Sequence, residues 1–183
     1  MKFRCGGTRP GTARVERALW RRSEGVAYED RIRQMLLGRA FFGAERICEI
    51  VRLFFRGDGD VTLHARCLVR VVHGGRMVAS SADVRTPAID IQSVTLGDLR
   101  WDCGFSAYDF SMKGFLEHNA RGVVDDVRIA PWGDMALSLD NASEIHILTD
   151  STLDWREQWR VFHEGAPDRA EHIVRSSTGF GME

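Results

Sequence analysis

Histidine and arginine side chains recur at alternate positions in one stretch of the chain, DVTLHARCLVRVV. His64, Arg66 and Arg70 would lie on one face of a long strand, because side chains two positions apart point the same way. Leu68 and Val72 interrupt the same face with apolar surface. Arginine offers a planar fork of N–H donors that fits a carboxylate or a phosphate. We therefore expect this face to bind an anion or another protein.

A histidine and a carboxylate also alternate in a later strand candidate. Glu144 and His146 are separated by one residue, so both would lie on its polar face. The predicted binding residues are therefore His64, Arg66, Arg70, Glu144 and His146. Two other interpretations stay open. The residues form the ordinary solvated face of a sheet, or His64, Arg70 and His146 converge in the site of an enzyme or a small-ligand-binding protein.

The remaining candidate groups form no recognisable catalytic arrangement. His163 and Glu164 are adjacent, and adjacent strand residues point to opposite faces, which suits an acid–base pair poorly. Asp125 and Asp126 are separated in the same way. The chain has no G-x-S-x-G motif and no glycine-rich phosphate loop, and GDGD at residues 57–60 is typical of a hairpin loop. The sequence predicts no catalytic residue and favours a protein that is not an enzyme.

The four cysteines are scattered along the chain. Cys5, Cys48, Cys67 and Cys103 form no C-x-x-C pair and have no histidine at zinc spacing. We expect free, mostly buried thiols in a reducing compartment. The sequence predicts no metal and no cofactor.

Composition is that of an ordinary globular protein. With 183 residues, 44% of them hydrophobic, the chain can bury a real core. A net charge of −1 argues against a protein built chiefly to hold nucleic acid, although the N-terminal arginines keep that role open as a weaker alternative. No apolar run approaches the ~20 residues that span a bilayer, and the N-terminus lacks the apolar region of a secretory signal. We expect a cytoplasmic protein without membrane contact.

Apolar periodicity predicts a loose basic extension over residues 1–26 and one strand-rich domain over residues 27–183. In the domain, Tyr28 to Leu37 has helical spacing and stops at Gly38. Strand patterns follow at 47–55, 60–72, 77–81, 123–129, 134–139, 144–148, 157–163 and 171–177.

We predict an α+β fold, in which a mostly antiparallel meander carries an N-terminal helix and a helical insertion over residues 86–121. Within the insertion, DFSMKGFLEHNA predicts a short helix that presents Phe110, Phe115 and Leu116 to the core. Strand-rich halves before and after the insertion suggest a weak internal duplication of a small meander.

Two tryptophans, Trp155 and Trp159, share a face in a helix and also in a strand, so their spacing leaves both structures open. We favour a turn or short helical piece over residues 151–156 and a strand over residues 157–163. Trp159 and Val161 would then face the core, because QWRVF is aromatic and β-branched.

These strands resemble a broad group of small bacterial cytoplasmic proteins without an established activity. The resemblance covers roughly residues 43–180. It is carried by a Leu-His…Cys…Arg strand and by a late Trp-Arg strand followed by a His-led strand, here Leu63, His64, Cys67, Arg70, Trp159, Arg160 and His172. The group commonly has an aromatic residue before the first arginine, where this chain has Val69. Some such proteins resemble partners of toxins, so the resemblance implies binding to another protein and, by analogy, an immunity role.

Overall fold

The computed structural model describes residues 27–88, 105–119, 121–153, 156–164 and 172–182. The first half of this part contains α1 at residues 27–36, then β1 (Ala40–Ile47), β2 (Ile50–Arg56), β3 (Val61–Ala65), β4 (Leu68–His73), β5 (Arg76–Ser80) and a 3-10 helix (Ser81–Arg85). The second half contains α2 (Ala107–Asn119), β6 (Val124–Ile129), β7 (Met135–Leu139), β8 (Ser143–Leu148), β9 (Glu157–His163), β10 (Ile173–Ser176) and β11 (Gly179–Met182).

The strands form two antiparallel sheets that share one hydrophobic core. Sheet A has the order β1-β2-β3-β9-β10-β11, and sheet B has the order β5-β4-β8-β7-β6. Alternation within each strand sends apolar side chains inward, such as Leu53 and Leu63 from sheet A and Val71 and Ile145 from sheet B. The α+β fold with mostly antiparallel sheet is confirmed.

The two halves of the chain repeat one arrangement, which is the predicted internal duplication. Each half begins with a helix, continues with a three-stranded meander and then forms a hairpin, β4–β5 in the first half and β9–β10 in the second, where β11 follows as an additional edge strand. Both hairpins cross to the other sheet, so that β4 pairs with β8 and β9 pairs with β3. Each sheet is therefore built from both halves, and neither half completes a sheet alone.

Local irregularities recur at equivalent positions of the two halves. Positive φ angles of 75° at Gly38 and 80° at Arg121 follow the ends of α1 and α2. The segments after these residues pair with each other through a bridge between Ala40 and Val123. A bulge then interrupts β1 after Phe41, and a bulge interrupts β6 after Val124. Such matched details indicate a pseudo-two-fold relation.

Each helix covers an open side of the two-sheet core. Tyr28 of α1 stacks on Phe180 of β11 at 5.6 Å between ring centroids. On the other side, Phe115 of α2 packs against Phe41 of β1, and Asp109 of α2 forms an ion pair with Arg46 at 2.7 Å. The helices thus close the sides that the exchanged hairpins leave open.

Three sequence predictions need correction. The pattern over residues 47–55 is not one strand, because Cys48, with a φ of 55°, turns β1 into β2. The long strand over residues 60–72 is broken at residues 66–67, so β3 joins sheet A and β4 joins sheet B. Phe110 is 54% exposed, whereas Tyr108 and Met112 join Phe115 in the core. Strands β6 to β9 lie close to their predicted positions.

We predict that Trp159→Ala lowers the free energy of unfolding by about 3–5 kcal/mol, the usual cost of truncating a buried aromatic ring. Trp159 is fully buried, and its Nε1–H donates to the carbonyl of Gly133 at 2.8 Å. Trp159→Phe keeps most of the aromatic ring, so its packing loss should be smaller than that of the alanine variant. Loss of the hydrogen bond to Gly133 should lower the free energy of unfolding by about 1 kcal/mol more. Urea denaturation measures both variants. Unchanged stability of the alanine variant would contradict the core assignment.

The repeated helix ends give a second, paired prediction. An added Cβ at Gly38 meets no atom within 4 Å, so Gly38→Ala should destabilise the protein through its positive φ alone, by about 1 kcal/mol. Arg121→Gly removes the same backbone strain and should stabilise the protein by up to about 1 kcal/mol, less the entropy that glycine loses. Urea midpoints of the two variants should move in opposite directions. A shift in the same direction would refute the equivalence of these positions.

Candidate functional site

His64 lies at the centre of the outer face of sheet A. Its strand neighbours Leu63 and Ala65 are fully buried in the core, so the His64 side chain points away from sheet B. The register places Arg52 of β2 on one side of His64 and Arg160 of β9 on the other. Two guanidinium groups, from strands far apart in sequence, therefore flank one imidazole.

Hydrogen bonds hold the flanking arginines in place. The Nε–H of Arg52 donates to Nε2 of His64 at 3.0 Å, and Nη1 of Arg52 bonds to Glu45. Arg160 grips the carboxylate of Glu157 through Nε, at 2.8 Å, and through Nη2. Charge-assisted hydrogen bonds to carboxylates therefore hold both arginines against the outer face of sheet A.

A second imidazole joins the network from His172, the residue just before β10. His172 lies with its Nδ1 at 3.1 Å from Nη1 of Arg160. The ring of Phe162 stacks on His172 at 4.4 Å and meets the edge of His64 at 4.9 Å. We call Arg52, His64, Glu157, Arg160 and His172 the His64 cluster.

Aromatic rings and a third arginine surround the His64 cluster. Phe54 lies beneath the guanidinium of Arg52 at 5.4 Å, and Phe42 packs against Phe54. Arg66, at the bend after β3, places its Nε 3.8 Å from Glu157 while half of its side chain stays exposed. The surface thus combines rings and guanidinium groups, which are the groups enriched at protein interfaces.

Burial and the neighbouring positive charges keep His64 neutral. Burial, followed by the positive charges of Arg52 and Arg160, lowers the pKa of His64 from its ordinary value of 6.5 to about 4. Burial alone would raise the pKa of Glu157, but the hydrogen bond from Arg160 and the charges of Arg160 and Arg66 outweigh it and lower that pKa. At neutral pH the His64 cluster therefore contains ionised carboxylate and guanidinium groups around uncharged His64.

Sheet B repeats the central pair without the rest of the network. Arg70 of β4 lies opposite His146 of β8, at the positions equivalent to Arg160 and His64. Ala136 occupies the place of Arg52 beside the histidine, and Val72 occupies the place of Phe162. His146 instead contacts Glu144 of its own strand at 2.9 Å. Equivalent strand pairs in sheets A and B therefore present different side chains on their outer faces.

The structure divides the predicted binding residues between the two sheets. His64 and Arg66 lie at the His64 cluster, whereas Arg70, Glu144 and His146 lie on the outer face of sheet B. These faces point away from each other across the core, so His64, Arg70 and His146 do not converge in one site. Sequence reasoning missed the roles of Arg52 and Glu157. The Trp-Arg and His-led patterns at Trp159, Arg160 and His172 predicted β9 and β10. They did not indicate that β9 pairs with β3.

The cysteines offer no second centre among the described residues. Burial raises the pKa of the Cys67 thiol to about 12, so Cys67 behaves as a core residue. Cys48 is exposed at the β1–β2 turn, so one of the two described cysteines is buried and the other is not. Cys5 and Cys103 lie outside the described residues. In the part of the chain that the structure describes, no group of three histidine, cysteine, aspartate or glutamate side chains could hold a metal ion.

Comparison of the chain with protein-family models, with curated proteins and with solved structures gives no match. No helix within the described ranges is long and apolar enough to cross a bilayer. The function is therefore inferred from the geometry of the described residues.

The low pKa of His64 predicts how stability depends on pH. Unfolded His64 takes up a proton near pH 6.5, whereas folded His64 does so only near pH 4, so protons favour unfolding between these values. Stability from this source is fully present above pH 6.5 and is lost as the pH falls towards 4. Urea midpoints should show wild type losing stability relative to His64→Gln across this window. His146→Gln, altered outside the His64 cluster, should follow wild type. If the difference in stability between wild type and His64→Gln did not change with pH, the lowered pKa of His64 would be contradicted.

Proposed function

We propose that the protein is a non-enzymatic binding protein that docks on another protein through the outer face of sheet A. The observation that carries the proposal is the contrast between two equivalent faces. Sheet A carries Arg52, Phe54 and Phe162 around His64, whereas the equivalent positions of sheet B carry Ala136, Ser138 and Val72. The requirements of the fold are the same for the outer faces of both sheets. They therefore do not explain why the side chains on the two faces differ.

The chemistry of the sheet A face suits a protein partner. Arginine and aromatic side chains are enriched among the residues that dominate binding energy at interfaces. The side chain of Arg160 is only 19% exposed and that of Glu157 only 16%, so both are already ordered by their mutual contacts. Preordered side chains lose less conformational entropy on binding than mobile ones.

A toxin in the cytoplasm is the partner class that we propose first. This choice follows the sequence resemblance to partners of toxins and goes one step beyond the geometry. An immunity protein neutralises its toxin by covering it, which needs a stable, preordered surface and no catalytic group of its own.

Arg66 and Arg70 provide a matched pair for the test. Both are exposed arginines, four positions apart, but Arg66 lies at the His64 cluster and Arg70 on sheet B. We predict that Arg66→Glu abolishes capture of a specific partner from the native host, while Arg70→Glu leaves capture unchanged. The reason is that charge reversal at an exposed position disturbs an interface only where it lies. Quantitative mass spectrometry of proteins captured by wild type and by both variants measures the effect.

Thermal melting of the two variants provides the control for folding. Arg70→Glu should melt as wild type does because its side chain is exposed, whereas Arg66→Glu should stay folded but melt slightly lower, because it replaces the ion pair with Glu157 by two like charges. Loss of the same partner with Arg70→Glu but not with Arg66→Glu would move the interface to sheet B. Equal capture by all three proteins would remove the proposal.

A further inference from the structure

We infer that the partner protein adds an extended strand to the edge of β11 that faces away from β10, and thereby continues sheet A. This inference rests on the proposed function and states how the partner is bound beside the outer face of sheet A. It follows from a difference between β11 and the other three edge strands of the described sheets.

Bulges interrupt the other three edge strands. β1 has an extra residue at Phe42, β5 at Val78 and β6 at Asp125. A bulge twists an edge and disrupts its regular row of backbone donors and acceptors, which hinders the addition of another strand. β11 pairs with β10 in unbroken register and contains no bulge.

Other parts of the chain also occupy the edges of β1 and β6. The backbone of Phe41 in β1 exchanges hydrogen bonds with residues 121–122, and the backbone of Val124 in β6 does so with residues 38–39. Farther along β6, the Nε–H of Arg33 donates to a backbone carbonyl at 3.1 Å. These contacts satisfy edge groups that would otherwise bind another strand.

The free edge of β11 carries backbone groups without such partners. Gly179 flanks the two-residue turn of the β10–β11 hairpin, so its backbone is hydrogen-bonded to β10, and so is that of Gly181. Since bonding alternates along an antiparallel strand, the N–H and carbonyl groups of Phe180 and Met182 point away from β10. Among the described residues, no other backbone group bonds to them. Their alternating donors and acceptors fit an extended backbone.

The composition of β11 leaves this edge accessible. Its sequence, GFGM, has no charged residue and no proline, with which natural proteins block an edge. The ring of Phe180 packs against Tyr28 and Trp159, so Gly179 and Gly181 take the outer face. A Cβ at either glycine would meet no atom within 4 Å. Side chains of an added strand can therefore lie over these glycines, as aromatic residues do opposite edge glycines.

A strand of the partner fits this edge better than β11 of a second copy. β11 has four residues, so the edge is only about 14 Å long at about 3.4 Å per residue. Two such edges alone would bury far less than the roughly 1,200 Å² of a stable interface. A partner on the outer face of sheet A has no such limit, because only β10 separates β11 from β9 of the His64 cluster.

Backbone amide hydrogen exchange, measured by NMR on the whole protein, tests the free edge directly. Protection factors at Phe180 and Met182 should be at least about tenfold lower than at Gly181, whose amide is bonded to β10. Equal protection at every protein concentration would overturn the inference, because the chain itself would then occupy the edge. Protection that rises with protein concentration would overturn it in favour of a second copy.

The same measurement on the purified complex with the protein captured from the native host tests strand addition. Protection at Phe180 and Met182 should increase at least about tenfold, because their amides gain acceptors. Amides of β5, the edge strand of sheet B, should exchange as in the free protein. Unchanged exchange at Phe180 and Met182 in the complex would refute strand addition.

A proline at the edge provides the matched substitution. Met182→Pro removes the outward N–H without removing a hydrogen bond to β10, whereas Met182→Leu keeps that N–H. We predict that Met182→Pro weakens capture of the partner at least about tenfold and that Met182→Leu retains it, with thermal melting as the control for folding. Equal capture by the two folded variants would contradict the inference.

The outcomes separate this inference from the proposed function. Loss of capture with Arg66→Glu but not with Met182→Pro would keep the sheet A interface and refute strand addition. Loss with Met182→Pro but not with Arg66→Glu, together with new protection at Phe180, would support strand addition and refute docking on the outer face.

Discussion

The antiparallel pairing of β3 with β9 is the interaction on which both the core and the proposed site depend. It joins the two halves of the chain within sheet A and fixes Leu63 opposite Val161 and Ala65 opposite Trp159, all inside the core. The same register sets His64 opposite Arg160 on the outer face. Since side chains alternate between the faces of a strand, one set of backbone hydrogen bonds positions both the core and the His64 cluster.

The internal duplication explains why one of two similar faces can specialise. Both halves need the helix end, the bulge and the exchanged hairpin, since these features build the shared scaffold. The outer faces are free of that constraint, and they differ most beside the central histidine. Arg52 and Phe162 complete a network around His64, while Ala136 and Val72 stand at these places on sheet B and His146 contacts Glu144 of its own strand. The internal copy on sheet B thus serves as a natural control for the surface on sheet A.

Much of the secondary structure could be predicted from the sequence, because strand alternation and turn residues are local signals. The strand at 157–163 and the core position of Trp159 are confirmed. The break at residues 66–67 could not be predicted, because alternation continues through it without interruption. Of the predicted binding residues, His64 and Arg66 lie at the His64 cluster. Arg52 joins this cluster through the pairing of β2 with β3, Glu157 through the long-range pairing of β9 with β3, and His172 through its contact with Arg160. Long-range register is set by the whole fold and leaves no local trace in the sequence.

The central claim is that the outer face of sheet A, and not the equivalent face of sheet B, is covered by a protein partner. Covalent labelling of histidine side chains, read by mass spectrometry on the free protein and on its complex with the captured partner, tests this claim without any substitution. His172 and His64 should lose labelling in the complex because they lie at the centre of the proposed interface, whereas His146 on sheet B should be labelled as in the free protein. Protection of His146 with unchanged labelling of His64 and His172 would contradict the account.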